Sequence, residues 1–259
     1  MDGSSEADRD GAREESLTGG FVNEVVRVGG TVRRAVPERA AFTHALLRHF
    51  ERVGWRGAPR LLGRDERGRE VLEFLPGRAA CTPDERRAAG ADEALAGVAA
   101  LVREFHDLTA GTALAGDAEV VCHHDLSPRN TVYTVDAAGW RPVALIDWDL
   151  AAPGERIQDL AHVAWQYVGL GPEAGDPARA GRRLRLLCDA YGTAAGARLL
   201  ETVLWWQERC WRGIEAGAER GEPAMERLVA AGVPAEVRAA SAWVVEHRAA
   251  LARQLGAAP

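Results

Sequence analysis

The sequence contains no lysine; all 32 of its basic residues are arginine. That absence removes two kinds of chemistry. A GK[ST] phosphate loop needs a lysine to reach the outer phosphates, and Schiff-base catalysis needs a lysine amine, so neither operates here. Any cation that meets a phosphate must be arginine, whose planar fork suits paired phosphate oxygens. Cysteine is scarce too. Cys81, Cys122, Cys188 and Cys210 form no Cys-x-x-Cys pair, which argues against a zinc site or a disulfide framework and suits a reducing cytoplasm. No apolar run approaches the length of a bilayer span. The opening stretch MDGSSEADRDGAREES has neither the basic start nor the apolar centre of a secretory signal. It reads as a solvated acidic tail over residues 1–16. A net charge of -6 disfavours a nucleic-acid backbone as partner. A cytoplasmic protein with neither nucleic acid nor membrane as partner is expected.

With 259 residues, 47% of them hydrophobic, the chain can bury a full-sized core as one large domain or two joined lobes. Phe21 to Val28 and Thr31 to Val36 are valine-rich, and Gly29-Gly30 between them permits a tight hairpin. Pro37 opens a helix carrying Phe42, Leu46, Phe50 and Val53 at helical spacing. Arg60 to Leu62 and Glu70 to Phe74 read as a second hairpin across Asp65-Glu66-Arg67-Gly68. Leu75-Pro76-Gly77 is a connector, and the chain turns helical from about Asp92, with Leu95, Val98, Val102 and Phe105 on one face.

Short strands follow at Glu119 to Cys122, Thr131 to Val135 and Val143 to Ile146; beyond Gly154 the periodicity is helical. The expected fold is α+β and bilobal: residues 17–77 form a small antiparallel sheet with one helix, and 78–259 a larger, mainly helical lobe. Clefts between lobes are where ligands usually bind.

The polar cluster lies early in the second lobe, in VCHHDLSPRN (121–130) and VALIDWDLAAPG (143–154). Phosphoryl transfer needs a base near the acceptor hydroxyl, hard oxygen ligands for magnesium and a cation on the phosphates. Asp125 with Asn130 five residues on, a hairpin, and then Asp147 supply a carboxylate, an amide oxygen and a second carboxylate in the order of a kinase catalytic loop and its metal-binding aspartate.

These motifs resemble the aminoglycoside phosphotransferase family, the small-molecule branch of the protein-kinase-like fold. HHDLSPRN stands where the family has HGDLxPxN, and LIDWDLAAPGERIQDLA stands where it has its metal aspartate and terminal DLA. GGFVNEVVRVGGTVRR resembles its opening glycine loop and cation-bearing strand. The resemblance implies a magnesium-dependent kinase of a small hydroxylated molecule, with ATP or GTP as donor and an aminoglycoside or related antibiotic among the acceptors. Asp125 would be the base, and Asn130 and Asp147 the metal ligands. His123 and Asp159 would support the loop, and Gly19, Gly20 and Asn23 would cover the phosphates. Arg33 or Arg34 would stand for the usual strand lysine, alternation turning only one of them to the cleft. Glu73 to Leu75 would present backbone groups to the base of the nucleotide.

One departure stands out. The helix after the second strand has no central glutamate to pair with that cation; Thr43 and His44 lie near the place, and Glu38 is close to the helix start.

Blander readings apply to other residues. His124, where the family has glycine, is a loop filler; Asp149 caps the following turn or touches metal. Trp205, Trp206 and Trp211 belong to a helix core, and Glu201, Glu208 and Glu215 form a solvated face before an amine-binding one. Two rival functions remain. An HD-type metal phosphohydrolase would use His106-Asp107 or His124-Asp125, but such sites lie on all-helical domains. A non-catalytic kinase-like binding or immunity protein would lack turnover.

Overall fold

The computed structural model describes residues 14–17, 25–37, 39–194 and 196–256. Strands β1 (Glu15–Ser16), β2 (Val25–Val28), β3 (Thr31–Arg34), β4 (Leu61–Arg64) and β5 (Glu70–Glu73) form an antiparallel sheet in the order β1-β2-β3-β5-β4. The β2–β3 hairpin turns at Gly29-Gly30, and the positive φ of 59° at Gly29 is the reason glycine suits the turn. Glu15 and Ser16 pair with Arg27 and Val26, so the acidic tail ends before them. A polar segment with no periodicity gives no sign of such an edge strand.

Helix α1 (Ala40–Arg52) packs on this sheet. It starts three residues after Pro37, and its inner face is Thr43, Leu46, Leu47 and Phe50, while Val53 is exposed. The face is therefore rotated from the expected one, and His44 lies beside it rather than outside.

The rest of the chain comprises α2 (Pro83–Ala89), α3 (Asp92–Thr109), β6 (Val120–Cys122), β7 (Thr131–Asp136), β8 (Gly139–Leu145), β9 (Ala152–Gly154), α4 (Arg156–Val168), α5 (Pro177–Tyr191), α6 (Gly196–Glu219), α7 (Pro223–Ala230) and α8 (Val233–Gln254). Helix α2 was not expected, yet its signal is local. Thr82 accepts from the Glu85 N–H while the Glu85 side chain accepts from the Thr82 N–H, with Pro83 in the first turn. β8 starts four residues before Val143, because the tight turn at Asp136–Gly139 lets Trp140 and Arg141 pair with Val135 and Thr134. β9 pairs antiparallel with β6, Cys122 opposite Ala152.

The core runs from α1 through α3 and the β7–β8 hairpin into α4, α5, α6 and α8. Trp148 joins the two lobes. It is 1% exposed, its ring lies 5.1 Å from both Phe50 of α1 and Phe105 of α3, and 4.5 Å from the His123 ring. Its indole N–H donates to the Leu145 carbonyl at 2.9 Å, and the Thr43 hydroxyl of α1 donates to the Trp148 carbonyl. Removing so large a buried ring leaves a cavity shared by both lobes. Trp148→Ala is expected to cost about 3–5 kcal/mol of unfolding free energy, measured by denaturant titration; a loss under 1 kcal/mol would mean that the ring is dispensable to the junction.

Candidate active site

The β7–β8 hairpin assembles the site. Thr131 opens β7 and pairs with Leu145, which closes β8, so the residues just outside the hairpin's open end come side by side. Asn130 lies next to Ile146, whose N–H donates to the Asn130 carbonyl at 2.9 Å. Asp147 follows with a left-handed φ of 64°, an αL conformation that Asp and Asn adopt more readily than most residues. This twist, and the short turn Trp148–Leu150, put the Trp148 ring into the core and leave Asp147 and Asp149 on the cleft side.

Asn130 ties this end to the loop that follows β6. Its Nδ2 donates to Asp125 Oδ2 at 2.7 Å and to the Asp125 carbonyl at 2.9 Å. Burial pushes the Asp125 carboxyl up to about 7; the nearby charges of Asp147 and Asp149 add to the rise, and the Asn130 hydrogen bond opposes it.

The loop is clamped from below. Asp159, on α4 and without exposed surface, accepts from the backbone N–H of His123 at 2.7 Å and of His124 at 2.9 Å. His106 Nε2 is 3.0 Å from it, and the other His106 nitrogen is 2.8 Å from the Tyr191 hydroxyl. Burial alone would raise the Asp159 pKa. The hydrogen bond to His106 and the proximity of His106, His124 and His123 outweigh that and hold it well below the usual carboxylate range.

His123 is buried, and burial lowers its pKa to about 4 against the pull of Asp159 and Asp147. The neutral ring accepts the Asp125 N–H at Nδ1 (3.3 Å) and lies 3.0 Å from the Ile146 carbonyl at Nε2, fitting a donor there. His123 is thus a spacer between the loop and the hairpin.

His124 has φ 63°, the conformation that glycine takes without strain. Its ring lies between Gln158 Oε1 at 3.1 Å and the Leu150 carbonyl at 3.3 Å, above Gly154. A Cβ at Gly154 would collide with Gln158 Oε1 and come within 2.9 Å of Cys122 Sγ and 3.2 Å of His124 Nε2, so no side chain fits at position 154 beneath these groups.

From the other lobe comes Arg34, the one of the two strand arginines that contacts Asp147 and Asp149. Its Nη1 and Nη2 donate to Asp149 at 3.0 and 2.5 Å, and Nη1 also to Asp147 Oδ1 at 3.2 Å. Asp149 therefore meets the arginine instead of capping the turn. Its pKa is raised by burial against the opposing charge of Arg34. Arg33 points to the opposite face, 3.6 Å from Asp65. The partner sought on the helix comes from the sheet: Arg34 Nε donates to Glu70 Oε1 at 2.5 Å, and Glu70 is 1% exposed.

In the connector, the Phe74 N–H donates to the Gly30 carbonyl and the Glu73 carboxylate accepts from Arg60. The Leu75 N–H has no backbone partner among the described residues. Gly19, Gly20, Asn23 and Glu38 lie outside the described residues.

Asn130 and Asp147 suit a hard cation. The amide nitrogen of Asn130 is spent on Asp125, leaving its oxygen as the free end. The Asp147 side chain is 45% exposed and already faces a cationic nitrogen of Arg34. His106, Cys122 and Asp159 also come within 4.8 Å of one another, but their atoms are engaged: Asp159 and His106 as above, and the Cys122 thiol donating to the Glu155 carbonyl. Asp107 turns away to Arg103 and Arg156, so His106 and Asp107 converge on no common point, and the HD arrangement is absent among the described residues.

On α6, Trp206 packs against the core with its N–H on the Gln158 carbonyl. Trp205 is 44% exposed and lines a cleft of about 580 Å³ with Glu208, Arg209, Arg212 and Gly213. Trp211 lies under the Arg238 guanidinium at 4.1 Å. The core reading therefore holds for Trp206 and fails for Trp205, because helical spacing does not say how wide the buried stripe is. Glu201, Glu208 and Glu215 each pair with an arginine, Arg248, Arg212 and Arg238.

A sequence model of the phosphotransferase enzyme family matches residues 92–197, the stretch holding Asp125, Asn130, Asp147 and Asp159. A trifolitoxin immunity protein from Rhizobium leguminosarum bv. trifolii is 31% identical over 212 residues, 71% of this chain and 76% of that protein. A choline/ethanolamine kinase family protein from Mesorhizobium loti superposes with a TM-score of 0.64 at 18% identity, over 94% of each chain. An aminoglycoside phosphotransferase from Streptomyces rimosus, solved with ADP and streptomycin, superposes with a TM-score of 0.54 at 18% identity, over 75% of this chain and 91% of that one. The two structural likenesses show the fold, which is protein-kinase-like and α+β.

The Asp159 clamp has a measurable signature. Asp159→Asn would place an N–H group against backbone donors and is expected to lose about 1–3 kcal/mol for each donor left unsatisfied. Because the folded-state pKa is depressed, the stability due to this carboxylate is present above its unfolded value near 4 and is lost as pH falls below it. Unfolding titrations should therefore show a steeper acid loss in wild type than in the variant; equal slopes would exclude Asp159 as the cause.

Proposed function

We propose that this chain, which belongs to the phosphotransferase enzyme family, transfers the terminal phosphate of ATP or GTP to a hydroxyl of a small molecule. The observation that carries this reading is the convergence of Asp125, Asn130 and Asp147 at one hairpin end, with Arg34 reaching them from the opposite lobe. Asp125 accepts the proton of the acceptor hydroxyl. A carboxyl whose pKa is near 7 is a better-matched base at neutral pH than an ordinary carboxylate. Asn130 fixes the orientation of that carboxylate through Nδ2, and its free amide oxygen and the Asp147 carboxylate would hold magnesium. Magnesium held there supplies charge stabilisation at the phosphates. Arg34 presents two nitrogens to the same space, and Gly19, Gly20 and Asn23 are the proposed cover over the phosphates. Leu75 offers a backbone N–H to the base of the nucleotide.

The acceptor belongs to the face between the catalytic loop and α6, with aminoglycosides and related antibiotics the first class to try. Glu201, Glu208 and Glu215 are each paired with an arginine, so the amines of such an acceptor would have to displace those partners to bind these carboxylates. A second reading, binding without transfer, draws on the relative named as an immunity protein.

Three measurements separate these readings. Calorimetric titration should show ATP binding that magnesium strengthens in wild type and fails to strengthen in Asp147→Ala; identical titrations would remove Asp147 as a ligand. Asp125→Asn should lower turnover by about 10²- to 10⁴-fold with nucleotide affinity nearly intact, whereas unchanged turnover would favour another base. The pH profile of kcat/KM should rise through an apparent pKa near 7, because the base works deprotonated. A rise centred near 4 would assign the limb to an unperturbed carboxylate.

A further inference from the structure

Arg34 is held at both ends, and the two ends differ. Its two Nη atoms face the cleft on Asp147 and Asp149, while its Nε edge rests on Glu70. Glu70 sits directly opposite Arg34 in the β3–β5 ladder, so register alone delivers its carboxylate to the back of the guanidinium. Its second oxygen is 2.7 Å from Nε2 of His44, which α1 presents beside its buried face. Glu70 is 1% exposed, and no other side-chain partner is recorded for it among the described residues.

A lysine is a point charge that one carboxylate on a neighbouring helix can steer. An arginine is a planar fork, and a carboxylate that holds its Nε edge sets the plane in which both Nη atoms point. We propose that Glu70 and His44 are the positioning residues of Arg34. The strand carboxylate sets the guanidinium plane, and the helix imidazole sets the carboxylate. The three residues thereby connect α1 to the phosphate side of the cleft without a helix glutamate. This rests on the reading of the cleft as a nucleotide site.

The test is ATP affinity by calorimetry, with and without magnesium, together with thermal unfolding of each variant. Glu70→Gln should weaken ATP binding about 10- to 100-fold, the loss of one charge-assisted contact. His44→Ala should weaken it less, and His44→Gln, which keeps a donor at that point, should recover part of the loss. The double variant His44→Glu with Glu70→Gln moves the carboxylate to the helix and should bind ATP more tightly than Glu70→Gln alone.

If wild type binds ATP while folded Glu70→Gln and His44→Ala bind it equally well, the inference fails and the nucleotide site stands. If Glu70→Gln does not fold, the two His44 variants decide in the same way. If wild type binds no ATP, the nucleotide site itself fails and the positioning role falls with it. Melting temperatures lowered with ATP affinity unchanged would show that Glu70 and His44 only brace the lobe.

Discussion

Asp159 is a carboxylate with no exposed surface that takes its hydrogen bonds from two consecutive backbone N–H groups and a histidine. A buried charge of this kind is tolerated because each of its two oxygens has at least one donor. The consequence is positional. With the N–H groups of His123 and His124 anchored to α4, the loop leaving β6 has one available path, and Asp125 stands at its crest. His123 then links the loop to the Ile146 carbonyl and Asn130 links it to the hairpin. The loop is held by its backbone, which leaves the Asp125 carboxylate with one side-chain hydrogen bond, from Asn130.

The second organising element is the alternation at residues 147 to 149. Trp148 is driven inward by its apolar surface and by rings from both lobes, and the left-handed Asp147 makes the turn that allows it. The flanking aspartates then face out toward Arg34. Hydrophobic burial thus aims two carboxylates at one guanidinium, and the strand register places a third behind it. The lobes are joined both by packing around Trp148 and by charge around Arg34. The burial of the aromatic junction is not weakened by salt, whereas ion pairs at the partly exposed aspartates are open to competition from a phosphate or a metal.

Much of this was legible residue by residue. The spacing of Asp125, Asn130 and Asp147 brings them together at one hairpin end, His123 and Asp159 hydrogen-bond to the loop before it, and Leu95, Val98, Val102 and Phe105 of α3 are buried as their period implies. Where the reading was incomplete, the missing fact was a relation between distant segments. The arginine's partner is not on the helix: Glu70 is opposite it in the β3–β5 ladder, which joins strands separated in sequence by α1 and β4. On α1 the expected Leu46 and Phe50 are buried and Phe42 packs partly buried against the core, but Val53 is exposed and Thr43 and Leu47 take the inner face with them. Helix α2 was legible and went unread: Thr82-Pro83-Asp84-Glu85 is a complete capping signal.

What the sequence by itself determined is the chemistry on offer. With no lysine, any cation offered to a phosphate is an arginine, and motif spacing put the carboxylates and amide on one loop and one hairpin end, since those contacts are local. Tertiary structure alone decided which arginine faces the cleft, which carboxylate stands behind it, and that Glu215 and Glu201 of α6 are matched by arginines of another helix, Arg238 and Arg248. Such pairings depend on how strands register and helices cross. Those follow from burying the whole core at once, and no single window of sequence contains them.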